Sequence, residues 1–313
     1  MNTDKYCFSN ELIETLKKNK QYVHEENREV CSFFENHLLN SAKFILTIDS
    51  EIRVFGEDIP EIEQKHLDML RLPYKAITIE SYIQCEDSGQ PLKLITMAFE
   101  LSPEDKDSVF YCGDYVTGEG GIMAWPALFI PGQGWDLSVS GDYIRYGQEI
   151  IIEKIKDIVP DCLDRFKDKN VNTYKTKPVF LPSAAGMLSL TSSKKVRDEH
   201  YTRTHRSNKA IFTLCSLLNC KNIGTELWTP EESLNRKRIK KGRLPFFEYK
   251  MLYVKPDKND TNTTGVKNTD RLSPRQHLRR GHIRVLRSGD CVWVSACVVG
   301  DKNKGFVKKD YIV

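Results

Sequence analysis

The sequence lacks the long apolar runs that membrane proteins carry. No stretch of about 18 consecutive apolar residues occurs in the 313-residue chain, so we expect no membrane span. The first five residues do not lead from a basic segment into an apolar one, and we therefore expect no secretory signal. These absences predict a soluble, cytoplasmic protein.

Metal and phosphate-loop motifs are also missing. The nine cysteines include no C-x-x-C pair, and reduced thiols are the default in a chain without a secretory signal. The glycine-rich stretch Gly118-Glu119-Gly120-Gly121 has no terminal Gly-Lys-Ser/Thr, so it predicts a turn rather than a phosphate loop. We expect neither a metal site nor a cofactor.

Positive charge is scarce in the first part of the chain and dense at its end. Residues 231–313 hold 20 lysines and arginines against 9 acidic residues, whereas residues 1–230 hold 27 against 34. A basic segment raises the local concentration of anionic partners. The asymmetry predicts an acidic body with a basic arm that contacts a polyanion.

The hydrophobic period changes along the chain and predicts an α+β fold. Helical spacing occurs in the first forty residues, where Ser9 or Asn10 could cap the first helix. Further helices are predicted at residues 148–159 and 207–220. Alternating or β-branched runs predict strands of a central mixed or antiparallel sheet at residues 44–46, 76–83, 92–101, 123–130 and 246–254.

Composition divides the chain into three segments. Residues 1–254 form the predicted α+β body, and residues 255–270 are a polar linker or loop. Residues 271–313 form a basic tail docked on the body. Its pattern predicts a three-stranded β-meander, with strands at residues 282–287, 291–299 and 306–313 separated by glycine-containing turns.

A basic helix precedes the tail. Thr229 is a candidate cap, Pro230 suits the first helical position, Glu232 could close a capping box, and Gly242 is a natural stop. Cations are favoured near a helix C-terminus, but their density here exceeds that need. The candidate phosphate-binding residues of this segment are Arg236, Lys237, Arg238, Lys240, Lys241 and Arg243.

The tail adds a second set of candidate nucleic-acid contacts. Arginine binds phosphate through planar, bidentate donors, and an exposed aromatic ring can stack on a base. The tail candidates are Arg275, Arg279, Arg280, Arg284, Arg287 and Trp293. We expect both basic sets to converge into one open surface for RNA or the ribosome. The alternatives are a solvated tail, a tail docked on the acidic body, or a protein-only inhibitor that binds an acidic partner.

Two histidines in the tail raise an enzymatic alternative. His277 and His282 are of the residue type that metal-independent ribonucleases use as general base and acid. The positive charges of the neighbouring arginines would lower the pKa of both histidines. We retain a ribonuclease as an alternative to pure binding, with these two residues as its candidate catalytic groups.

The same segment resembles a known family motif. His277-Leu278-Arg279-Arg280-Gly281-His282 is similar to the H-(I/L)-R-R-G-H motif of a set of bacteriophage, prophage and plasmid proteins. These are related to the anti-CRISPR inhibitor of the type V-A effector that acts on the effector's synthesis. Roughly the last 85 residues carry the likeness, although Ile283 stands where that inhibitor has tryptophan.

The resemblance implies a biological setting. It implies a phage-encoded accessory or anti-defence protein in the cytoplasm of a bacterial host, whose body recognises a protein target and whose basic region contacts RNA. For the anti-CRISPR relative it implies recognition of the nascent effector and loss of its messenger RNA. The departure at Ile283 favours the uncharacterised branch of these proteins.

Overall fold

The computed structural model describes residues 7–19, 24–46, 63–84, 91–154, 168–184, 194–255, 275–279, 282–294, 297–299 and 301–306. The helices are α1 (Phe8–Asn19), α2 (Arg28–Asn40), α3 (Gln64–Asp68), α4 (Lys194–Leu218) and α5 (Glu232–Lys240). Short 3₁₀ turns lie at Glu25–Asn27, at Gly113–Tyr115 and at residues 182–184. None of the helices in these ranges combines the length and apolarity needed to cross a bilayer.

Strands make up much of the remaining described chain. The body strands are β1 (Ala42–Leu46), β2 (Ala76–Gln84), β3 (Pro91–Leu101), β4 (Gly121–Ile130), β5 (Gly134–Leu137), β6 (Ser140–Arg145), β7 (Ile151–Lys154), β8 (Asn170–Thr173), β9 (Thr176–Phe180), β10 (Ile223–Trp228) and β11 (Tyr249–Val254). The tail strands are β12 (Arg275–Arg279), β13 (His282–Val285), β14 (Cys291–Val294), β15 (Cys297–Val299) and β16 (Asp301–Phe306).

A nine-stranded mixed sheet forms the centre of the molecule. Its order is β10-β11-β1-β2-β3-β4-β6-β9, and β5 pairs with β4 beside this path. Strand β1 runs parallel to both β2 and β11, whereas the other pairs are antiparallel. The α+β class with a mixed sheet is therefore confirmed. Strands β10 and β9 lie at opposite edges of this path.

Helices cover both faces of the sheet. On one face, Phe8 of α1 and Phe34 of α2 pack in a core with Met97 and Trp125. On the other face, α3 and α4 supply a second core with Ile77 of β2. Burial on both faces explains why the central strands carry apolar residues at successive positions.

Several local predictions are wrong. Ser9 and Asn10 lie within α1 rather than capping it, and Pro230 precedes the N-cap of α5 rather than taking the first helical position. The helix predicted at residues 148–159 is replaced by strand β7, which pairs with β8, and residues 155–159 lie outside the described ranges. Adjacent β-branched residues Ile151 and Ile152 suit a strand better than a helix. Thr229 does not cap α5, because the helix begins at Glu232 and the Thr229 hydroxyl donates to Glu248.

The tail is not the predicted meander. Strands β13 and β14 form the expected antiparallel hairpin. Strand β12 was not predicted, because its sequence is mostly polar. It pairs antiparallel with β15 and parallel with β16. Residues 301–305, predicted as a turn, belong to β16, and the predicted last strand lies outside the described residues beyond Phe306. The linker predicted at residues 255–270 lies outside them too, apart from Lys255.

Candidate nucleic-acid interface

A buried carboxylate holds the N-terminal helix on the sheet. Glu80 of β2 accepts hydrogen bonds from the backbone nitrogens of Cys7, Phe8 and Ser9 at 2.9, 2.9 and 2.8 Å. The Ser9 hydroxyl at 2.7 Å and the Tyr249 hydroxyl at 2.6 Å donate to the same group. The carboxylate thus satisfies the free N–H groups of α1 and links this helix to β11.

Burial and hydrogen bonding have opposite effects on the pKa of Glu80. Burial raises its pKa, and the hydrogen bonds from Tyr249 and Ser9 oppose the rise. Lys43 lies nearby on β1, where its ammonium donates to the Ser41 carbonyl at 3.0 Å. Burial lowers the pKa of Lys43 to about 8, and the negative charge of Glu80 opposes that fall. The network is internal, so it positions other groups rather than meeting a ligand.

Helix α1 in turn holds the segment that follows α5. The Asn10 amide donates to the Pro245 carbonyl at 2.9 Å. Arg238 of α5 donates to the Leu244 carbonyl at 2.6 Å and pairs with Glu14 of α1 at 3.5 Å. Its guanidinium lies 4.0 Å from the Phe246 ring centroid. Arg238, predicted as a phosphate ligand, is therefore occupied within the protein.

Asn235 completes the attachment of α5. Its amide oxygen accepts from the Phe246 nitrogen at 2.8 Å, and its amide nitrogen donates to the Phe246 carbonyl at 3.1 Å. The helix ends at Lys240, and Gly242 terminates it as predicted, with φ at +67° and its nitrogen donating to the Ile239 carbonyl. The end of α5 is consequently a fixed platform.

Four exposed cations remain on this platform. Arg236 pairs with Glu232 one turn earlier at 2.6 Å, a solvent-exposed contact that contributes little stability. The other cations are exposed, and their side chains make no ion pair or hydrogen bond with the described part of the chain. This set, called the α5 basic surface below, consists of Lys237, Lys240, Lys241 and Arg243.

The Trp293 side chain is buried rather than exposed at the surface. It is 3% exposed and lies in a small core with Leu217, Cys220, Ile223 and Ile283. The prediction that Trp293 stacks on bases is therefore wrong. The β13–β14 hairpin uses the ring to cover the end of α4, because two strands alone cannot bury an apolar face.

Polar contacts also fix the hairpin at one end of β10. The Asn222 amide oxygen accepts from the Trp293 nitrogen, and its amide nitrogen donates to the Trp293 carbonyl, both at 2.8 Å. Lys221 pairs with Asp290 at 2.6 Å. Asn222 immediately precedes β10, so the hairpin lies at the start of this edge strand.

The α5 segment and the β13–β14 hairpin are attached near opposite ends of strand β10. The hairpin packs on Ile223 at the start of β10, whereas α5 follows Trp228 at its end. Six residues of strand separate these ends by about 17 Å. Arg284 and Arg287 of the hairpin region are exposed and make no ion pair with other described residues. Convergence of the two complete sets stays a prediction, because Arg280 and the side chains of Arg275 and Arg279 lie outside the described residues.

The other tail candidates lie wholly or partly outside the described part of the structure. The backbones of Arg275, His277 and Arg279 lie in β12, and that of His282 begins β13. Their side chains, and the whole of Arg280, lie outside the described part of the structure. The ribonuclease hypothesis therefore stays a prediction.

Neither metal ligation nor likeness to other proteins adds to this geometry. Within the described ranges, no three His, Cys, Asp or Glu side chains converge as metal ligands. Comparisons of the chain with protein-family models, curated proteins and solved structures found no match. The candidate interface is therefore defined by the α5 basic surface and its anchoring contacts.

Proposed function

We propose that this chain binds RNA through the α5 basic surface. The proposal rests on the different contacts that the cations of this segment make. Arg238 anchors the helix, while Lys237, Lys240, Lys241 and Arg243 project into solvent without a described carboxylate partner. Unpaired cations on a fixed platform release counterions when they meet phosphates, which favours binding.

The motif resemblance supplies the biological setting of the proposal. A phage, prophage or plasmid accessory protein that acts on host expression would use such a surface to hold RNA at the ribosome. The rest of its body would recognise a protein target. We place the chain in this role as a binding protein rather than as an enzyme, with RNA contact as its testable part.

Salt dependence of RNA binding tests the proposal. Each cation that contacts a single-stranded phosphate contributes about 0.7 to the slope of log K against log salt concentration. We expect Lys240→Ala with Lys241→Ala to lower the magnitude of that slope by about 1.4. The measurement is a filter-binding titration of labelled single-stranded RNA at several salt concentrations.

A matched control removes the same charge elsewhere. Lys75 and Lys106 are exposed, and neither lies in α5 or in the tail. Lys75→Ala with Lys106→Ala should leave the slope unchanged. Equal slopes for the parent and both double variants would contradict RNA binding by α5. A parent that binds an acidic protein but no RNA would favour the protein-only inhibitor.

A further inference from the structure

A cleft of about 680 Å³ lies at the sheet edge opposite α5. It opens where β6 ends and β9 begins, and the 3₁₀ turn Gly113–Tyr115 forms another wall. Its volume falls within the range of small-molecule sites, which is about 300–1,000 Å³. Nothing in the RNA proposal uses this cleft.

Gln148 fixes the two strand ends that form the cleft. Its amide oxygen accepts from the Lys175 nitrogen at 2.8 Å, and its amide nitrogen donates to the Arg145 carbonyl at 3.0 Å. Gly147 supplies the turn between these groups with φ at +63°. Arg145 and Lys175 are therefore held side by side by a buried amide.

Three cations and one exposed aromatic ring line this cleft. They are Arg145, Lys175, Lys177 and Tyr115. The Lys177 ammonium lies 4.5 Å from the Tyr115 ring centroid, and 53% of Tyr115 remains exposed. Two carboxylates, Asp114 and Glu149, also line the cleft, so its lining combines groups for phosphate with acceptors for hydroxyls.

Tyr143 gives the cleft an unused donor. It is 1% exposed, lines the cleft and stands directly opposite Lys177 in the β6–β9 register. Its hydroxyl is buried and has no hydrogen-bond partner among the described atoms. Burying such a group without a hydrogen-bond partner is unfavourable. A ligand oxygen in the cleft would remove this cost.

We propose that this cleft binds a nucleoside phosphate. Arg145, Lys175 and Lys177 contact the phosphates, and the exposed face of Tyr115 stacks on the base. Asp114 and Glu149 accept from the ribose hydroxyls, as carboxylates do in other nucleotide sites. The site is independent of RNA binding, because α5 follows the strand at the other edge of the sheet.

Isothermal titration calorimetry with ADP, inorganic phosphate and adenosine tests the assignment. ADP should bind at least about tenfold more tightly than either fragment, a difference of about 1.4 kcal/mol. Absence of heat with ADP at millimolar concentration would overturn the proposal. Equal affinities for ADP and phosphate would overturn the nucleoside part of it.

Two variants test the residues. Arg145→Ala should weaken ADP binding by about tenfold, because it removes a charge-assisted hydrogen bond. Tyr143→Phe should weaken ADP binding by roughly fivefold while the unfolding temperature stays the same or rises, since the lost hydroxyl has no internal partner. Lys106→Ala is the control and should bind ADP like the parent.

The variants also separate ligand contact from support of the fold. If Tyr143→Phe lowers the unfolding temperature and leaves ADP affinity unchanged, the hydroxyl does not meet the ligand. If Arg145→Ala binds ADP as the parent does, the phosphate site lies elsewhere. Neither result affects the RNA proposal, which is tested by the salt slope of variants in α5.

Discussion

The α5 segment and the β13–β14 hairpin carry similar residue types but use them in opposite ways. In α5 a cation, Arg238, lies inside the contacts that anchor the helix. In the hairpin an aromatic ring, Trp293, lies inside and arginines remain outside. The role of a segment rich in basic and aromatic residues therefore depends on which of its side chains are buried by neighbouring elements, and this is known only from the structure.

The anchors of the two regions differ in chemistry as well. Helix α5 is held by polar contacts that lead through α1 to the buried carboxylate of Glu80. The hairpin is held by a small apolar core, by the Asn222 amide and by the Lys221–Asp290 ion pair. Variants of each anchor should therefore affect one region more than the other.

Glu80→Ala should have the largest effect and act on the α5 side. It leaves three backbone N–H groups and two hydroxyls without their shared acceptor, so we expect a loss of about 4 kcal/mol in unfolding free energy. Urea denaturation measures this loss. Glu226→Ala, an exposed position on β10, is the control. A loss for Glu80→Ala no larger than the control's would show that the network does not hold α1.

Trp293→Ala should give the second-largest loss of unfolding free energy, without a loss of RNA affinity. Removing a buried ring from a small core costs about 3–4 kcal/mol. RNA affinity of the folded variant at one salt concentration should match the parent's. Val285→Ala, at an exposed site on the same hairpin, should cost less than about 0.5 kcal/mol. If the Trp293→Ala variant were as stable as the parent and bound RNA more weakly, the result would support stacking of Trp293 on a base.

Acid should weaken the α2 side of the sheet through His37. Its ring nitrogen meets the Ile77 carbonyl at 2.9 Å, and burial lowers the pKa of His37 from 6.5 to about 4. The unfolded chain then binds the proton first, so stability falls as pH drops from about 6.5 to about 4. The effect is on the order of 3 kcal/mol. Urea denaturation of His37→Gln across this window should show a smaller fall, whereas an unchanged fall would exclude His37 as its source.

Asn222→Ala should give the smallest of these stability changes and the most local one. It removes two hydrogen bonds to Trp293 and should cost about 2 kcal/mol. Hydrogen exchange should become faster at residues 282–294 and stay unchanged in α5. Faster exchange in both regions would mean that the hairpin and α5 share one cooperative unit.

Sequence periodicity predicted the elements that follow simple rules. The β2, β3 and β4 strands and the Gly242 helix stop follow from alternation and from backbone geometry. Glu80 was not predicted as a core residue, because in Ile77-Thr78-Ile79-Glu80 it occupies the alternate face that alternation assigns to solvent. Only the packing of α1 against that face buries it.

The candidate site was predictable in part for the same reason. Charge density identified the α5 segment, and the exposed lysines lie within it. Sequence could not tell Arg238 from its neighbours, because its role depends on Glu14, 224 positions away in the chain. It could not predict the burial of Trp293 either, since the end of α4 that it covers is distant in sequence.

The most direct test of the account compares equal charge removal in the two regions. RNA binding is measured against salt concentration for Lys240→Ala with Lys241→Ala and for Arg284→Ala with Arg287→Ala. We predict that the α5 pair lowers the magnitude of the slope of log K against log salt by about 1.4 and the hairpin pair by less than half as much. A larger decrease for the hairpin pair, or none for the α5 pair, would contradict the account.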